Sequence, residues 1–100
     1  MHVCVCDTVC APIKIAVNLP SDSRVLLGSR TVMTCTVPPS ASVVWGRLDR
    51  ISTMLTINNT YVIPRTQMKA AGDYYCIVQM GTCIDYRNVT INVYYGRCYS

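Results

Sequence analysis

The sequence predicts an all-β fold, a sandwich of two antiparallel sheets with about seven short strands. Short segments alternate apolar and polar residues with a period of two and are separated by turn residues. Tyr74 and Cys76 share one face of a strand that follows a tight corner at Gly72-Asp73. Cys35 and Trp45 lie upstream, with Cys35 ten residues before Trp45 and 41 before Cys76. Such a set favours a small core that is shared by two sheets.

The length of 100 residues fits one small two-layer domain. We expect a Cys-rich lead at residues 1–12, a β-sandwich domain at 13–96 and a C-terminal linker at 97–100. No stretch approaches the roughly 20 apolar residues of a membrane span. The first residues also lack the basic start and apolar run of a signal peptide. We therefore expect a segment of a longer protein, with membrane attachment only through parts outside it.

The net charge is +4, from nine Lys and Arg against five Asp, and the sequence contains no Glu. The basic residues are scattered and form no cluster, so nucleic acid is not an expected partner. Arg47 and Arg50 are expected to be solvated charges rather than an anion site.

Seven Cys in a chain of this length indicate an oxidising compartment. Two N-glycosylation sequons, which begin at Asn58 and Asn88, agree with that compartment. We therefore expect a glycoprotein at the cell surface or outside the cell. The alternative, a reduced cytosolic domain with buried thiols, fits the composition less well.

The alternating pattern assigns each strand an inward face. Met33 and Val37 share the parity of Cys35, and Val43 shares that of Trp45. Residues 51–57 are rich in β-branched types and are followed by Asn58-Asn59, which predicts a hairpin with residues 61–63. In chain order, the predicted strands are A (13–17), B (30–37), C (43–48), D (51–57), E (61–63), F (73–80) and G (87–95). Whether residues 47–53 pair with the sheet of strands C, F and G or with strands D and E stays open.

These elements resemble an immunoglobulin-superfamily domain of the C2 or intermediate type, as found in adhesion and immune-type receptors. The resemblance covers residues 13–96 and implies an immunoglobulin-like Greek-key sandwich. It also implies a disulfide between Cys35 and Cys76, with Trp45 packed against it and Tyr74 in the core. The motifs that carry it are Val25-x-x-Gly28, Met33-x-Cys35, Trp45, Tyr61-x-Ile63, Gly72-x-Tyr74-x-Cys76 and the run from Val89 to Gly96.

Two departures from the family pattern matter. The family usually has an Asp six residues before the second Cys, but this sequence has Ala70 there, so the charge pair of that Asp is absent. Only 30 residues separate Trp45 from Cys76, which leaves little room for the extra strands of a variable-type domain. Antigen-type binding by three loops is therefore not expected.

The resemblance also constrains the other cysteines. Strand A begins at the end of the sandwich that carries the F–G turn, where we place Cys83. We therefore expect Cys83 to bond an N-terminal Cys, either Cys10 or its neighbours Cys4 and Cys6. The partner of Cys98 stays open, and because seven is an odd number, at least one Cys is free or paired outside the chain.

Neither a metal site nor an enzyme is expected. The spacing Cys4-x-Cys6-x3-Cys10 differs from that of structural zinc pairs, and the one His is His2. The sequence has no Gly-rich phosphate loop and no Ser-His-Asp set, and it lacks Glu for paired-carboxylate catalysis. We expect no cofactor.

Binding to a protein remains the expected role. By parity, Val44, Leu48, Tyr75 and Ile77 lie on the outward face of the C–F–G sheet, where an apolar patch often marks a partner site. The expected partner is a protein, including a second copy of this chain, engaged by a receptor ectodomain. Part of the patch could instead be covered by a loop, by the lead or by a glycan at Asn88. The alternative function is a spacer in a tandem array with no ligand of its own.

Overall fold

The structure is a computed structural model that describes residues 10–48 and 52–96. Within these ranges the chain forms eight β-strands and one turn of 3-10 helix, Met68–Ala70. The strands are β1 (Ala16–Val17), β2 (Asp22–Leu26), β3 (Thr31–Thr36), β4 (Ser42–Leu48), β5 (Ser52–Thr56), β6 (Thr60–Ile63), β7 (Gly72–Met80) and β8 (Cys83–Tyr94).

The strands form two sheets. A three-stranded sheet has the order β1-β3-β6, and a five-stranded sheet has the order β2-β8-β7-β4-β5. The predicted all-β sandwich is confirmed. Strands A, B, C, E, F and G of the sequence analysis correspond to β1, β3, β4, β6, β7 and β8.

The core lies between the sheets around Cys35, Trp45 and Cys76, which are all fully buried. Cys35 on β3 and Cys76 on β7 form a disulfide that joins the two sheets, in agreement with the pairing that the resemblance implies. Trp45 is the register partner of Cys76, and its indole Nε1–H donates to the carbonyl of Asn59 at 2.7 Å. The Trp ring can therefore be buried without leaving its polar atom unsatisfied.

A second disulfide joins Cys10 to Cys83, the first residue of β8, with 5.6 Å between the Cα atoms. This pairing agrees with the expected bond between Cys83 and an N-terminal Cys. In the chain-entropy model, a cross-link over a loop of 73 residues stabilises the fold by about 4 kcal/mol. Cys4, Cys6 and Cys98 lie outside the described residues, so their pairing stays open.

The predicted D–E hairpin is wrong. β5 pairs antiparallel with β4, whereas β6 pairs with β3 in the other sheet. The chain therefore crosses between sheets at Ile57–Asn59 instead of folding back on itself. Composition predicts the strand and the turn correctly, but it does not determine which sheet edge the strand joins, because both edges offer the same backbone hydrogen bonds.

A parallel strand that the sequence did not predict, β2, pairs with β8. It has two inward positions, Val25, which packs against the core, and Ser23, which is buried and whose hydroxyl donates to the carbonyl of Pro20 at 2.8 Å. With a polar residue facing inward, the segment lacks the apolar alternation that identifies the other strands. The chain thus switches sheets between β1 and β2.

Strand G begins earlier than predicted, at Cys83 rather than Arg87. Met80 and Cys83 are register partners, so Gly81 and Thr82 alone form the turn. Gly81 has a φ of +64° and Thr82 has a negative φ, which is typical of a two-residue type II′ hairpin. The short turn adds four residues to the paired part of β8.

The connection from β6 to β7 is held by a tyrosine corner. The hydroxyl of Tyr74, which is 2% exposed, donates to the carbonyl of Ala70 and accepts from Nη1 of Arg47 at 3.2 Å. Nη2 of Arg47 donates to the carbonyls of Lys69 and Ala71, at 2.6 Å each. The expectation that Arg47 is a solvated charge is therefore wrong.

The guanidinium of Arg47 packs closely against Gly72, where a side chain would crowd it. A Cβ at Gly72 would lie 3.1 Å from Nη2 of Arg47, and Gly72 has a φ of +146°. The sequence lacks the acidic residue that the resemblance places at Ala70, and backbone carbonyls accept the hydrogen bonds of Arg47 instead. The corner is thus held by hydrogen bonds without an ion pair to Arg47 among the described residues.

Replacing Tyr74 with Phe should lower the free energy of unfolding by about 1–3 kcal/mol, because it leaves a buried carbonyl and one donor of Arg47 without their partner. Urea denaturation of the oxidised chain measures the change. The matched control is Tyr95→Phe, whose ring is 64% exposed and which should change stability by less than about 0.5 kcal/mol. Equal effects of the two substitutions would contradict the role of the corner.

Candidate functional site: the apolar face of the five-stranded sheet

The outer side of the five-stranded sheet carries a contiguous set of apolar side chains. Val44, Leu48, Tyr75 and Ile77, the predicted partner-binding residues, all lie on it and line a shallow groove of about 590 Å³. We call this surface the apolar face; it consists of Val44, Leu48, Met54, Tyr75, Ile77, Ile84 and Tyr86.

Strand register explains why these side chains meet. Val44 on β4 is the partner of Ile77 on β7, and Ile77 is the partner of Tyr86 on β8. Directly opposed residues lie on the same side of a sheet with their Cβ atoms about 4.5–5.5 Å apart. One row of the apolar face therefore runs across three strands.

The groove follows from Gly46. Gly46 lies in the next row, between Met54 on β5 and Tyr75 on β7. Because glycine has no side chain, this row has a gap at β4, and the side chains of Met54 and Tyr75 form the two walls of the groove. The register of β4 and β5 also shifts between Trp45 and Gly46, which places a β-bulge at the same point.

Three members of the apolar face were missed in the sequence analysis: Met54, Ile84 and Tyr86. Met54 was assigned to a hairpin with residues 61–63, and the other two precede the predicted start of strand G. The two-residue turn at Gly81-Thr82 was a usable signal, because it fixes the pairing of Met80 with Cys83. From that pairing, Ile84 and Tyr86 fall on the outward parity of β8.

The apolar face is exposed to solvent. Met54 and Ile84 are each 66% exposed, and Tyr86 is 56% exposed. The rings of Tyr75 and Tyr86 lie 5.8 Å apart between centroids with their planes inclined by 51°, a tilted aromatic pair. Of the groove-lining residues that the structure describes, only Arg47 is charged. Such a surface has a large apolar area to lose on contact with a partner.

The two predicted glycosylation sites lie in different surroundings. Asn88 is exposed and is the register partner of Tyr75, so a glycan there would start beside the apolar face. Asn58 is exposed in the loop between β5 and β6, where its side-chain oxygen accepts from the backbone N–H of Asn59 at 2.8 Å. Occupancy of both sites stays a prediction.

No three His, Cys, Asp or Glu side chains among the described residues cluster closely enough to hold a metal ion. In the same ranges, no helix is long and apolar enough to cross a membrane. Asp73, the predicted first residue of strand F, lies in β7 and accepts a hydrogen bond from the hydroxyl of Thr90 at 2.7 Å.

Comparison by sequence identifies no relative: no family model and no curated protein matches the chain. Comparison of structures does find similar folds. The Ig-like domain of human leucine-rich repeat-containing protein 4 has a TM-score of 0.67 at 19% identity, over 94% of this chain and 98% of that domain. The RIG-5 IG1 homodimer gives a TM-score of 0.66 at 21% identity, over 84% of this chain and 99% of that one.

A third similar structure, the N-terminal eight Ig domains of Down syndrome cell adhesion molecule isoform 1.30.30, has a TM-score of 0.70 at 18% identity. The match covers 85% of this chain and 12% of that one. Sequence identities this low establish the fold alone. The chain therefore has the immunoglobulin-like fold that its sequence resembles.

A matched pair of substitutions on β8 tests the exposure of the apolar face. Ile84 is 66% exposed and Ile91 is 1% exposed, so Ile91→Ala should lower the free energy of unfolding by about 2–5 kcal/mol and Ile84→Ala by less than about 0.5 kcal/mol. Urea denaturation measures both. A loss at Ile84 as large as at Ile91 would mean that the face is covered by another part of the chain.

Proposed function

We propose that this chain is an extracellular immunoglobulin-like domain that binds a protein partner through the apolar face of its five-stranded sheet. The observation that carries the proposal is the set of seven apolar side chains on the outer side of that sheet. Antiparallel sheets usually have polar residues on their solvated face. A contiguous apolar patch on that face does not stabilise the fold, and such patches mark sites of interaction with partners.

An extracellular location is supported by covalent chemistry. Within the described part of the chain, disulfides join Cys10 to Cys83 and Cys35 to Cys76, and bonds of this kind form and persist in oxidising compartments. The similar structure of Down syndrome cell adhesion molecule, which has the same fold, is consistent with this location.

The composition of the apolar face suits a protein partner. Tyrosine and methionine are enriched in the cores of protein interfaces, and this face has Tyr75, Tyr86 and Met54 around a hollow at Gly46. A tyrosine pair that is already packed loses little side-chain freedom on binding. We infer that a side chain of the partner enters the hollow between Met54 and Tyr75.

A second copy of the chain is the first partner to test, because the similar RIG-5 IG1 structure is a homodimer. A two-fold symmetric contact would place the same face on both subunits. A stable interface of this kind buries about 800 Å² on each partner.

The experiment is sedimentation of the oxidised chain over a range of concentrations, with and without Ile77→Arg. Ile77 lies in the centre of the apolar face at 40% exposure, so an arginine there should abolish dimerisation by placing an unpaired charge in a desolvated contact. The control is Ile57→Arg, a substitution of the same type at a residue that is 74% exposed in the β5–β6 loop. It should leave the dimer intact.

Other outcomes distinguish the alternatives. A monomer at all concentrations would rule out self-recognition in that range and leave a different protein partner. A dimer that survives Ile77→Arg and disappears with reductant would indicate an intermolecular disulfide through the odd cysteine. The spacer function is favoured by one observation, the position of Asn88 beside Tyr75, because a glycan there would cover part of the apolar face.

A further inference from the structure

A second concave surface lies away from the apolar face, at the corner between β6 and β7. It is a cavity of about 430 Å³, lined by Arg47, Tyr61, Ile63, Arg65, Gln67, Lys69, Ala70 and Tyr74. Tyr61 and Ile63 belong to β6, which is an edge of the three-stranded sheet. With β5 in the other sheet, no described strand covers this edge, and the cavity opens there.

Among the described residues, the cavity is lined by three cations, Arg47, Arg65 and Lys69, and by no carboxylate. The acidic side chains among the described residues are bound elsewhere. Asp22 accepts from Asn92, Asp73 from Thr90 and Asp85 from Arg87. Within the described ranges, the ion pair of Asp85 with Arg87 is the only one. The positive charge of the cavity is therefore not balanced by any described carboxylate.

Arg47 is held in place before any ligand arrives. Its guanidinium donates to the hydroxyl of Tyr74 and to the carbonyls of Lys69 and Ala71, and lies over the ring of Tyr74 at 5.2 Å. These bonds use three of its five N–H donors and leave two for a ligand. A fixed cation loses less conformational entropy on binding than a mobile one.

We propose that this cavity binds the anionic groups of a sulfated saccharide. A sulfated sugar presents several negative groups at a fixed spacing, which matches three cations around one cavity, whereas one acidic side chain of a peptide presents a single carboxylate. The amide of Gln67 and the hydroxyl of Tyr61, both in the lining, can bond sugar hydroxyls. The volume is within the range of small-ligand sites, about 300–1,000 Å³.

The proposal is independent of the apolar face. Among the described residues only Arg47 lines both cavities, and Arg65 and Lys69, on the β6–β7 connection, do not line the groove of the apolar face. Occupation of the cavity therefore does not require a protein partner. Because the contacts are ionic and partly exposed, binding should weaken as salt is added.

The test is calorimetric titration of the full oxidised chain with a heparin hexasaccharide at low and physiological salt. The site variant is Arg65→Gln with Lys69→Gln, and the control is Lys14→Gln with Arg30→Gln, which removes the same charge from exposed residues outside the cavity. We expect the site variant to bind the hexasaccharide at least about tenfold more weakly than the parent chain, and the control to bind it within about twofold of the parent. All four positions are exposed, so both variants should fold like the parent chain.

Three results would overturn the proposal. The first is no binding of the hexasaccharide by the parent chain at low salt. The second is an equal loss in both variants, which would mean that net charge of +4 alone attracts the polyanion. The third is tighter binding of an Asp-rich hexapeptide than of the hexasaccharide, which would assign the cavity to an acidic protein segment.

Discussion

The pairing of β5 with β4 is the constraint on which both candidate surfaces depend. It extends one sheet to five strands and leaves the other with three. On the larger sheet it adds Met54 to the apolar face, opposite Gly46. On the smaller sheet it leaves β6 as an edge, so that the cavity beside Arg47 stays open. A D–E hairpin would have removed Met54 from the apolar face and covered the cavity beside Arg47.

The core is compatible with the pairing of β5 with β4 because the disulfide and the hydrogen bond that connect its two sheets do not involve β5. The Cys35–Cys76 disulfide joins β3 to β7, which are central in their sheets, and the indole of Trp45 bonds the chain at Asn59 just before β6. The crossing from β5 to β6 is therefore anchored by the carbonyl of Asn59, which also accepts from the backbone N–H of Cys35 at 2.9 Å. These two hydrogen bonds hold the short segment between β5 and β6 in place without strand pairing.

The alternation of apolar and polar residues predicted which side chains of each strand face inward and which face outward. Once Cys35, Trp45, Tyr74 and Cys76 face inward, the period of two fixes the direction of their neighbours, and the four predicted residues of the apolar face follow from it. The sheet edge that β5 joins depends on competition between two distant partners, which no local pattern records. Arg47 was misjudged for a related reason, because its acceptors are backbone carbonyls, which have no signature in sequence.

The most direct test of this account is nuclear Overhauser spectroscopy of the oxidised chain, labelled with nitrogen-15 and carbon-13. The account predicts backbone contacts between Gly46 and Met54 and between Arg47 and Thr53, with the backbone of Thr60 to Ile63 paired to Thr31 to Thr34 of β3. A continuous antiparallel ladder of backbone contacts along β5 and β6, from Met54 opposite Val62 outward, would contradict it. Such a ladder would restore the hairpin, separate Met54 from the apolar face and close the edge beside the basic cavity.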